Sequence, residues 1–504
     1  MKILPLTRKI FKSEITMPKD ILIRHVVDSI KTKYNGNNIY VCGGFVRDLI
    51  LGIESRDLDL VIDSNPELFA KEISDILGAD FFVLDDERNI IRITYKYEGT
   101  QINIDIAELV GSIDNDALTR DFTINSLYLP FKFLLTENYQ EYIVDPLGGL
   151  SHIKERKLIA VNESVFKDDT IRLLRAVRLS QFLNFSIDKQ TMQLIVQDSQ
   201  LIQDCAPERI HNELMTIMSF ISGSMDAIKQ LHTLNLLFYI FPELQLGVEE
   251  EQPKEHYWDI FEHNIQTVGY FENIVNRENI GEWVLSEIYW DLNLKKYFLD
   301  DVISGFSRYS VVKLACLLHD IGKPHTKTME GEKIRFIGHH KEGALISEEM
   351  LKKLRFSKKH INGISIIIDH HLRPGQMSHE GQLPSDKAIY RFFRSAGDFA
   401  IDTLYLNLAD YLAARGPLLE KQEWFDYASK VDHIYLQGTK QQEDTKYMRL
   451  VDGYQLMQEL GLSSGPIIGT ILEEIQEEVI SGKINRYEDA IQYGKNILNR
   501  EINT

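Results

Sequence analysis

Residues 41–62 read VCGGFVRDLILGIESRDLDLVI, which combines a short apolar strand, a pair of glycines, a helix and a second strand. The first strand stops at Gly43 and Gly44, since glycine turns a chain more freely than any other residue. The apolar spacing that follows predicts a helix, and Gly52 closes it. Alternation of Asp and Leu over 57–60 predicts the second strand. The stretch therefore predicts a strand–turn–helix–strand unit within an α/β domain.

Two carboxylates lie on one side of that second strand. Asp57 and Asp59 are two residues apart, so their side chains point the same way and can converge on one or two divalent cations. Gly43 and Gly44 let phosphate approach backbone N–H groups at the helix start, and Arg47, one turn further on, can reach the same phosphates. An Asp-x-Asp pair alone is typical of exposed strand ends, and a glycine pair alone of ordinary turns. Their order and spacing favour a site that handles phosphate and divalent cations.

The rest of the chain divides into an α/β part and a helical part. Periodicity predicts a helix over 66–78. Alternating apolar residues predict three further strands, at 80–86, 90–97 and 102–109. After about residue 130 we expect the strands to end, because residues 166–500 have helical periodicity almost throughout. Residues 1–17 are interpreted as a leader or a short arm.

The composition is that of an ordinary globular protein with an acidic balance. The 504 residues suggest three or four domains of about 150 residues each. No apolar run approaches the roughly 20 residues that a membrane span needs, so we expect no membrane partner. The net charge of −19 argues against nucleic acid when taken alone, but a binding groove is a local patch. Because the cysteines, Cys42, Cys205 and Cys316, form no metal-type pair and no signal peptide is evident, we expect a cytoplasmic protein.

The 41–62 stretch resembles the first signature of the bacterial-type (class II) tRNA nucleotidyltransferase and poly(A) polymerase family. Three further segments resemble family segments in the same order: LTRDFTINSLYL (118–129), DPLGGLSHIKERKLIAV (145–161) and FKDDTIRLLRAVRLSQFLNFSID (166–188). The resemblance implies an α+β chain, with a polymerase-β-like nucleotidyltransferase head of mixed sheet and helices followed by an all-helical neck and body. It also implies Mg²⁺ as cofactor, ATP and CTP as substrates, and the 3′ end of tRNA or another RNA as acceptor.

The resemblance assigns roles to individual residues of the head. Asp57 and Asp59 would be the magnesium ligands, and Asp105 the third carboxylate, placed to act as a base near the 3′ hydroxyl. The other nucleotide-binding residues would be Gly43, Gly44, Arg47, Arg120, Asp121 and Asn125. The family usually has an arginine where this chain has Thr119, so any contact that such an arginine makes is in question here.

A base-selecting function is predicted for the 166–188 segment. It places acidic and basic side chains three residues apart: Asp169, Arg172, Arg175 and Arg178. On a helix these would follow one face. Asp169 can accept from the exocyclic amine of cytosine or adenine, and Arg172 can donate to the adjacent ring nitrogen. Uracil and guanine reverse that pattern and would leave buried charges unpaired. The alternative is a charged helical stripe with no role in recognition.

The helical part carries a second constellation, made of histidines and aspartates. Neutral imidazoles and carboxylates on neighbouring helices are suited to a divalent metal. The ordered set resembles the HD phosphohydrolase superfamily. The resemblance implies a principal metal site at His263, His319, Asp320 and Asp410, with His339 and His371 binding a second metal or a phosphate. The metal would be Mg, Mn, Ni or Co, and the substrate a 2′,3′-cyclic phosphate or a phosphate monoester on RNA. The alternative is that the HD domain serves only as a scaffold.

These interpretations combine into one predicted organisation. The predicted domains are a catalytic head at 18–130, a helical neck with nucleotide selection and RNA binding at 131–250, an HD domain at 251–415, and a helical tail at 416–504. The leading function is addition of C, A or both to the tRNA 3′ end, with poly(A) addition, CC addition or A addition as alternatives. A protein uridylyltransferase with an HD hydrolase is a remote alternative, as is an HD phosphohydrolase with an inactive head. No stable protein partner is implied.

Overall fold

The computed structural model describes residues 19–34, 38–55, 57–86, 89–97, 100–300, 302–379, 382–445 and 450–502. The chain separates into two compact units, Met1–Leu201 and Ile202–Thr504. The leader or arm predicted over residues 1–17 lies outside the described residues.

The first unit alternates helices and strands before it becomes mainly helical. Its elements are α1 (Lys19–Lys33), β1 (Ile39–Cys42), α2 (Gly43–Leu51), β2 (Asp57–Ile62), α3 (Pro66–Leu77), β3 (Asp80–Asp85), β4 (Ile90–Tyr97), β5 (Thr100–Glu108), α4 (Ile113–Thr119), β6 (Tyr128–Pro130), α5 (Gly149–Glu155), β7 (Lys157–Leu158), α6 (Val165–Asp168), α7 (Arg172–Leu183), β8 (Ser186–Ile187) and α8 (Lys189–Asp198).

A six-stranded sheet in the order β3-β4-β5-β2-β1-β6 forms the centre of this unit. Strands β2 and β5 are parallel, and the other neighbouring strands are antiparallel. The sheet is therefore mixed, as predicted. Leu58 and Leu60 of β2 are almost fully buried, whereas Asp57 is exposed and Asp59 partly buried. The alternation of the sequence thus assigns the aspartates and leucines of β2 to opposite faces of the sheet.

Helix α2 forms as the sequence predicts, between two glycines. It begins directly at Gly43, whose φ of 68° is in the left-handed region that favours glycine. It ends at Gly52, which also has a φ of 68° and whose N–H donates to the carbonyl oxygens of Asp48 and Leu49. The predicted helix over 66–78 is likewise present as α3, because Asn65 accepts from the N–H of Leu68 and caps its first turn.

Helix α7 begins later than the sequence predicted. Asp169 has extended backbone angles (φ −157°, ψ 104°) and lies between α6 and α7, so the prediction of one continuous helical face from Asp169 onwards was wrong. A tight turn intervenes, in which the N–H of Arg172 donates to the carbonyl oxygen of Asp169 at 3.1 Å. Asp169 and Arg172 are nevertheless neighbours, since this turn spans the same three-residue separation.

The second unit is mainly helical. Its elements are α9 (Pro207–Met218), α10 (Ser224–Thr233), α11 (Leu237–Ile240), α12 (Ile260–Asn276), α13 (Glu282–Leu285), α14 (Leu292–Leu299), β9 (Val302–Ile303), β10 (Phe306–Ser307), α15 (Arg308–Leu318), α16 (Lys323–Thr326), β11 (Lys327–Glu330), β12 (Lys333–Phe336), α17 (His339–Lys353), α18 (Lys358–His370), α19 (Arg373–Gln376), α20 (Asp386–Ala396), α21 (Ala400–Arg415), α22 (Lys421–Thr445), α23 (Gly453–Leu460), α24 (Pro466–Ile480) and α25 (Tyr487–Ile502).

The expectation that strands end near residue 130 was wrong in detail. The pair β7–β8 in the first unit and the pairs β9–β10 and β11–β12 in the second are short two-stranded sheets. Their strands have two to four residues, which is too short for alternation to be recognised in a sequence. The predicted fold class, a head of mixed sheet and helices followed by a helical body with an HD domain, is otherwise confirmed.

The last three helices enclose a core of their own. Leu456, Ile471 and Ile497 are almost fully buried between α23, α24 and α25. On α24, Glu477 accepts two hydrogen bonds from Arg391 of α20, at 2.8 and 2.6 Å.

None of the described helices combines the length and the apolar composition that a membrane span needs.

Candidate active site

The predicted carboxylates of the head lie on two adjacent strands of the sheet. Asp59 of β2 is directly opposite Asp105 of β5, and Asp57 is directly opposite Asn103. The residues that alternate with them on β5, Ile104 and Ile106, are fully buried on the other face. The face with the aspartates is therefore the one that remains polar, and the carboxylates of all three predicted catalytic residues project from it.

Each carboxylate of this row has its own neighbour. Asn103 donates to Asp57 at 2.9 Å, and Arg92 donates from both Nε and Nη2 to the two oxygens of Asp105, each at 2.7 Å. Asp59 lies against Gly43. A Cβ at Gly43 would come within 2.8 Å of Oδ2 of Asp59, so only glycine leaves room for that carboxylate beside the turn. The predicted proximity of the glycine turn and the Asp-x-Asp strand is present.

The electrostatics around Asp59 are suited to a divalent cation. Burial, together with the charges of Asp105 and Asp57, raises the pKa of Asp59 from 3.8 to about 7, although Arg120 acts in the opposite direction. Neighbouring carboxylates that repel one another form a site where a cation would be stabilised, and carboxylate oxygens are the ligands that Mg²⁺ prefers. Among the described residues, the oxygen atoms of the head carboxylates lie farther from one another than the ligand atoms around Asp320 in the second unit do.

This shift of the Asp59 pKa predicts a pH-dependent magnesium requirement. If Asp59 holds Mg²⁺, as the sequence predicts, the cation would bind its ionised carboxylate and below pH 7 would have to displace a proton. We expect the Mg²⁺ concentration for half-maximal incorporation to rise roughly fivefold between about pH 7 and pH 6, and to change by no more than about twofold above pH 7. The pKa of Asp59 in the folded protein is above its ordinary value of 3.8. In cation-free protein, the carboxyl of Asp59 therefore adds to the free energy of unfolding below pH 3.8, and this contribution is lost as the pH rises through about 7. Equal half-saturation at about pH 6 and pH 8 would contradict this assignment.

Arg120 lies beside the same turn. Its Nε and Nη2 donate to Asp116 at 3.1 and 3.0 Å, and its Nε also donates to the hydroxyl of Tyr128 at 3.0 Å. Its remaining nitrogen, Nη1, is 3.3 Å from the position that a Cβ of Gly43 would occupy. The guanidinium is thus fixed by protein acceptors on one side and directed towards the Gly43 turn and Asp59 on the other.

Several other predicted nucleotide-binding residues form a buried hydrogen-bonded chain. Arg175 donates to Asp121 at 3.0 and 2.8 Å, and Asn125 donates to Asp121 at 2.9 Å. Arg47 in turn donates to Asn125 at 2.6 Å and to Asp48 at 2.8 Å. Burial would raise the pKa of Asp121, but Arg175 and the hydrogen bond from Asn125 hold it well below its usual range. The chain links α7 to α2, and a role of its members in binding nucleotide stays a prediction.

The proposed base-selecting pair is buried at the start of α7. Oδ2 of Asp169 is 4.0 Å from Nε of Arg172. Arg172 also donates to the carbonyl oxygens of Thr119 and Val165, at 2.5 and 3.3 Å. These bonds hold the guanidinium in one orientation beside Asp169. Further along the helix, the positive charge of Arg178 acts on Asp48, whose pKa is raised by burial and lowered by Arg47 and Arg178.

The second predicted constellation is brought together in the second unit. Its members come from the ends or interiors of helices α12, α15, α17, α18 and α21. Their ligand atoms form two groups, each within 4.8 Å: His263, His319, Asp320 and Asp410, and Asp320, His339 and His371. Asp320 belongs to both. Its Oδ2 lies 3.3 Å from Nε2 of both His263 and His319, and its Oδ1 lies 3.2 and 3.7 Å from Nε2 of His339 and His371.

Three of the four histidines in these groups have the ring orientation that a metal ligand needs. The Nδ1 atoms of His319, His339 and His371 lie 2.7–2.8 Å from backbone carbonyl oxygens. A carbonyl oxygen can only accept, so Nδ1 carries the proton and Nε2 of a neutral ring presents a lone pair towards Asp320. Lone pairs of several imidazoles facing carboxylate oxygens repel unless a cation lies between them. The donor set of nitrogen and oxygen atoms therefore fits one or two divalent metals that share Asp320.

Three polar residues at this centre were not predicted from the sequence. Lys323 lies with Nζ 2.6 Å from Oδ2 of Asp320, and the same Nζ donates to Gln252 at 2.6 Å and lies 3.4 Å from Nε2 of His256. Lys323 follows His319 by four residues in HDIGK, so its spacing along the helix end could have indicated it. Gln252 and His256 come from a distant loop and gave no such signal.

Three families match successive parts of the chain. Residues 39–159 match the family described as "Poly A polymerase head domain". Residues 184–246 match "Probable RNA and SrmB- binding site of polymerase A", and residues 260–415 match "HD domain".

Characterised relatives extend over most of the chain. The A-adding tRNA nucleotidyltransferase of Deinococcus radiodurans is 28% identical, covering 89% of this chain and 93% of the relative. The CC-adding tRNA nucleotidyltransferase of Thermus thermophilus is 27% identical, covering 91% and 93%. The CCA-adding enzyme of Anoxybacillus flavithermus is 30% identical, over 52% of this chain and 67% of the relative.

Solved structures share the fold. The Thermotoga maritima CCA-adding enzyme complexed with tRNA covers 96% of both chains at 20% identity, with a TM-score of 0.57. A CCA-adding enzyme complexed with ATP covers 95% of this chain and 96% of its own, also at 20% identity, with a TM-score of 0.62.

The sheet with its row of carboxylates, the head match and the HD match define a nucleotidyltransferase that carries an HD domain. The chain belongs to the class II (bacterial-type) tRNA nucleotidyltransferase and poly(A) polymerase family.

Proposed function

We propose that this protein adds C, A or both to the 3′ end of tRNA by nucleotidyl transfer from CTP or ATP. The observation that carries the proposal is the row of carboxylates at Asp57, Asp59 and Asp105, on adjacent strands and against the Gly43 turn. Parallel pairing of β2 with β5 brings two distant sequence segments together on one polar face. A carboxylate site beside a glycine turn at a helix start is suited to a nucleoside triphosphate with its cation.

The residues of the head divide the chemical work. Asp57 and Asp59 would hold Mg²⁺, which supplies neutralisation of the triphosphate and activation of the attacking hydroxyl when bound. Asp105 would accept the proton of the RNA 3′ hydroxyl while the 3′ oxygen forms a bond to the α-phosphorus of the nucleotide and the bond to the leaving pyrophosphate breaks. Arg120 directs Nη1 towards the turn at Gly43, where it would bind a phosphate oxygen. Gly43 itself keeps Asp59 close to that turn, because a larger residue would displace the carboxylate.

Selection of C and A is assigned to Asp169 and Arg172. Their side chains are buried, adjacent and fixed, which supports a recognition role because a buried charge discriminates strongly against a base that leaves it unpaired. Asp169 accepts from the exocyclic amine, and Arg172 donates to the ring nitrogen. Uracil and guanine would place an acceptor against the carboxylate of Asp169 and a donor against the guanidinium of Arg172.

Replacing Arg172 by Ala is expected to relax this selection. Each lost pairing is worth about 1–3 kcal/mol, so the preference for C or A over U or G should fall at least about fivefold. The measurement is the ratio of incorporation rates of the four nucleotides, which is insensitive to a general loss of active protein. Arg156→Ala, on an exposed turn of the same unit, is the control. Unchanged ratios in the Arg172 variant would refute the selection role.

One experiment separates the forms of nucleotide addition. Purified protein is incubated with tRNA ending before CCA, with tRNA ending in CC, and with an unrelated RNA oligonucleotide, using labelled CTP or ATP. Two of the relatives that cover most of the chain are an A-adding and a CC-adding enzyme, so division of the work between two enzymes is among the expected outcomes. A product ladder distinguishes CCA, CC, A and poly(A) addition. No incorporation into any RNA would contradict the proposal.

A second activity is favoured by the metal-ligand groups around Asp320. We infer that the HD domain binds one or two divalent ions, from Mg, Mn, Ni or Co, and hydrolyses a phosphate monoester or a 2′,3′-cyclic phosphate on RNA. Two groups that share a carboxylate support a two-metal arrangement, which clamps attacking and leaving oxygens of a phosphate. We also propose a cytoplasmic location, since the three cysteines are buried and form no disulfide with one another.

A further inference from the structure

Arg92 makes the most complete ion pair of the polar sheet face. It lies on β4, directly opposite Asp105 of β5. Its Nε donates to Oδ1 and its Nη2 to Oδ2 of Asp105, both at 2.7 Å. Two parallel bonds between a guanidinium and a carboxylate fix both the position and the rotation of the carboxylate. Both side chains are largely shielded, with 27% and 17% exposed.

The strand register makes Arg92 part of the catalytic row. Asp59, Asp105 and Arg92 occupy directly opposed positions on β2, β5 and β4. The flanking residues Ile91 and Ile93 are buried on the opposite face, so the side chain of Arg92 projects from the same face of the sheet as the carboxylates. Asp57, two residues before Asp59, accepts a hydrogen bond from a neutral donor, Asn103. Asp105 is therefore the carboxylate that pairs with the charged guanidinium of Arg92.

The consequence of this pairing is mechanical and electrostatic. Asp105 lies next to Asp59, and each carboxylate raises the energy of the other by like-charge repulsion. If the guanidinium of Arg92 were absent, the carboxylate of Asp105 could relieve this repulsion by rotating away from Asp59. The two hydrogen bonds oppose that rotation, and each oxygen keeps a further lone pair for a hydroxyl proton or a cation.

We propose that Arg92 is a positioning residue for nucleotidyl transfer, which holds the carboxylate of Asp105 in a fixed orientation beside Asp59. The inference rests on the proposed function, because it gives Asp105 a part in the reaction. Arg92 acts through its two hydrogen bonds to Asp105, and this positioning role requires no contact with the nucleotide. Its effect should therefore appear in the rate of the chemical step and not in nucleotide binding.

The test compares steady-state incorporation into tRNA by wild-type protein, Arg92→Gln, Arg92→Lys, Asp105→Asn and the double variant Arg92→Gln/Asp105→Asn. We expect Arg92→Gln to lower kcat about 10- to 100-fold, since misplacing a reacting group by about 1 Å costs that much. The KM for nucleotide should change less than about twofold. Arg92→Lys keeps the charge without the two-point contact and should be intermediate.

The double variant separates positioning from a general structural role. If Arg92 acts only through Asp105, the double variant should be no slower than Asp105→Asn, whereas independent effects would multiply. Arg335→Gln is the matched control, because Arg335 also bonds an acidic residue within an antiparallel strand pair, donating to Glu330 at 3.0 Å, but in the second unit. Its kcat should equal that of wild type. Thermal unfolding of each variant identifies any that fail to fold.

Four results would overturn the inference: a kcat of Arg92→Gln within about twofold of wild type, an effect confined to KM, multiplicative effects in the double variant, or full activity of Asp105→Asn. An effect confined to KM would indicate that Arg92 binds the nucleotide directly. A wild-type protein that incorporates no nucleotide would overturn the proposed function as well. An active wild type with an unaffected Arg92→Gln would overturn this inference alone.

Discussion

Replacing Asp59 by Asn is expected to lower nucleotide incorporation at least about 10³-fold, which corresponds to a loss of roughly 4 kcal/mol of transition-state stabilisation. Asp59 is central to the carboxylate row, since it lies opposite Asp105, shares a strand face with Asp57 and contacts the Gly43 turn. An amide has nearly the same shape but carries no charge for a divalent cation. The measurement is the rate of labelled nucleotide incorporation at saturating tRNA and Mg²⁺.

RNA binding provides the internal check on this variant. Binding measured by gel shift should remain within about threefold of wild type, because RNA affinity rests mainly on phosphate contacts by Lys and Arg. Asp63→Asn is the matched control, since Asp63 is an exposed aspartate just beyond the other end of β2. The control should incorporate nucleotide normally. Retention of more than about a tenth of the wild-type rate by Asp59→Asn would contradict the assigned role.

Replacing Asp320 by Asn is expected to remove the metal and the hydrolytic activity of the second unit while leaving nucleotide addition within about twofold. Asp320 is the residue common to both ligand groups. Loss of its charge should weaken metal binding by at least about 100-fold, since even changes beyond the direct ligands cost 10- to 100-fold. Metal content, hydrolysis of a 2′,3′-cyclic phosphate on RNA, and incorporation are measured on the same preparation.

Asp369→Asn is the control for that variant, because Asp369 lies on α18 near the same centre and belongs to neither ligand group. It should keep both metal and hydrolysis. Unchanged metal content in Asp320→Asn would contradict the metal assignment. An equally large loss of incorporation would contradict the separation of the two activities.

The fold of the head follows from local patterns that the sequence displays. Helix α2 is bounded by Gly43 and Gly52, and the alternation of aspartate and leucine along β2 assigns opposite faces before any tertiary contact is known. Elements α3, β3, β4 and β5 were predictable because each is long enough for its periodicity to be recognised, whereas the four-residue strand β1 was predicted from its apolar residues and the glycines that follow it. The two-residue strands such as β7 and β8 are not, since they depend on chain segments that meet only in the folded unit.

The candidate site was predictable only where its residues are close in sequence or carried by a family resemblance. Asp57 and Asp59 share a strand, so their common direction is a local property. The pairing of Arg92 with Asp105 depends on the register of β4 against β5, which the sequence does not reveal, and Arg92 was therefore missed. The start of α7 was misjudged because helical spacing alone does not show that the chain turns at Asp169.

We propose that Asp57 and Asp59 together bind the divalent cation used for nucleotidyl transfer. The most direct measurement is a crystal structure with Mn²⁺ and a non-hydrolysable CTP or ATP analogue, with manganese located by its anomalous scattering. We predict manganese in contact with the carboxylates of Asp57 and Asp59, with the triphosphate beside the turn at Gly43. Manganese found only around Asp320, with the nucleotide bound away from Asp57 and Asp59, would contradict the account.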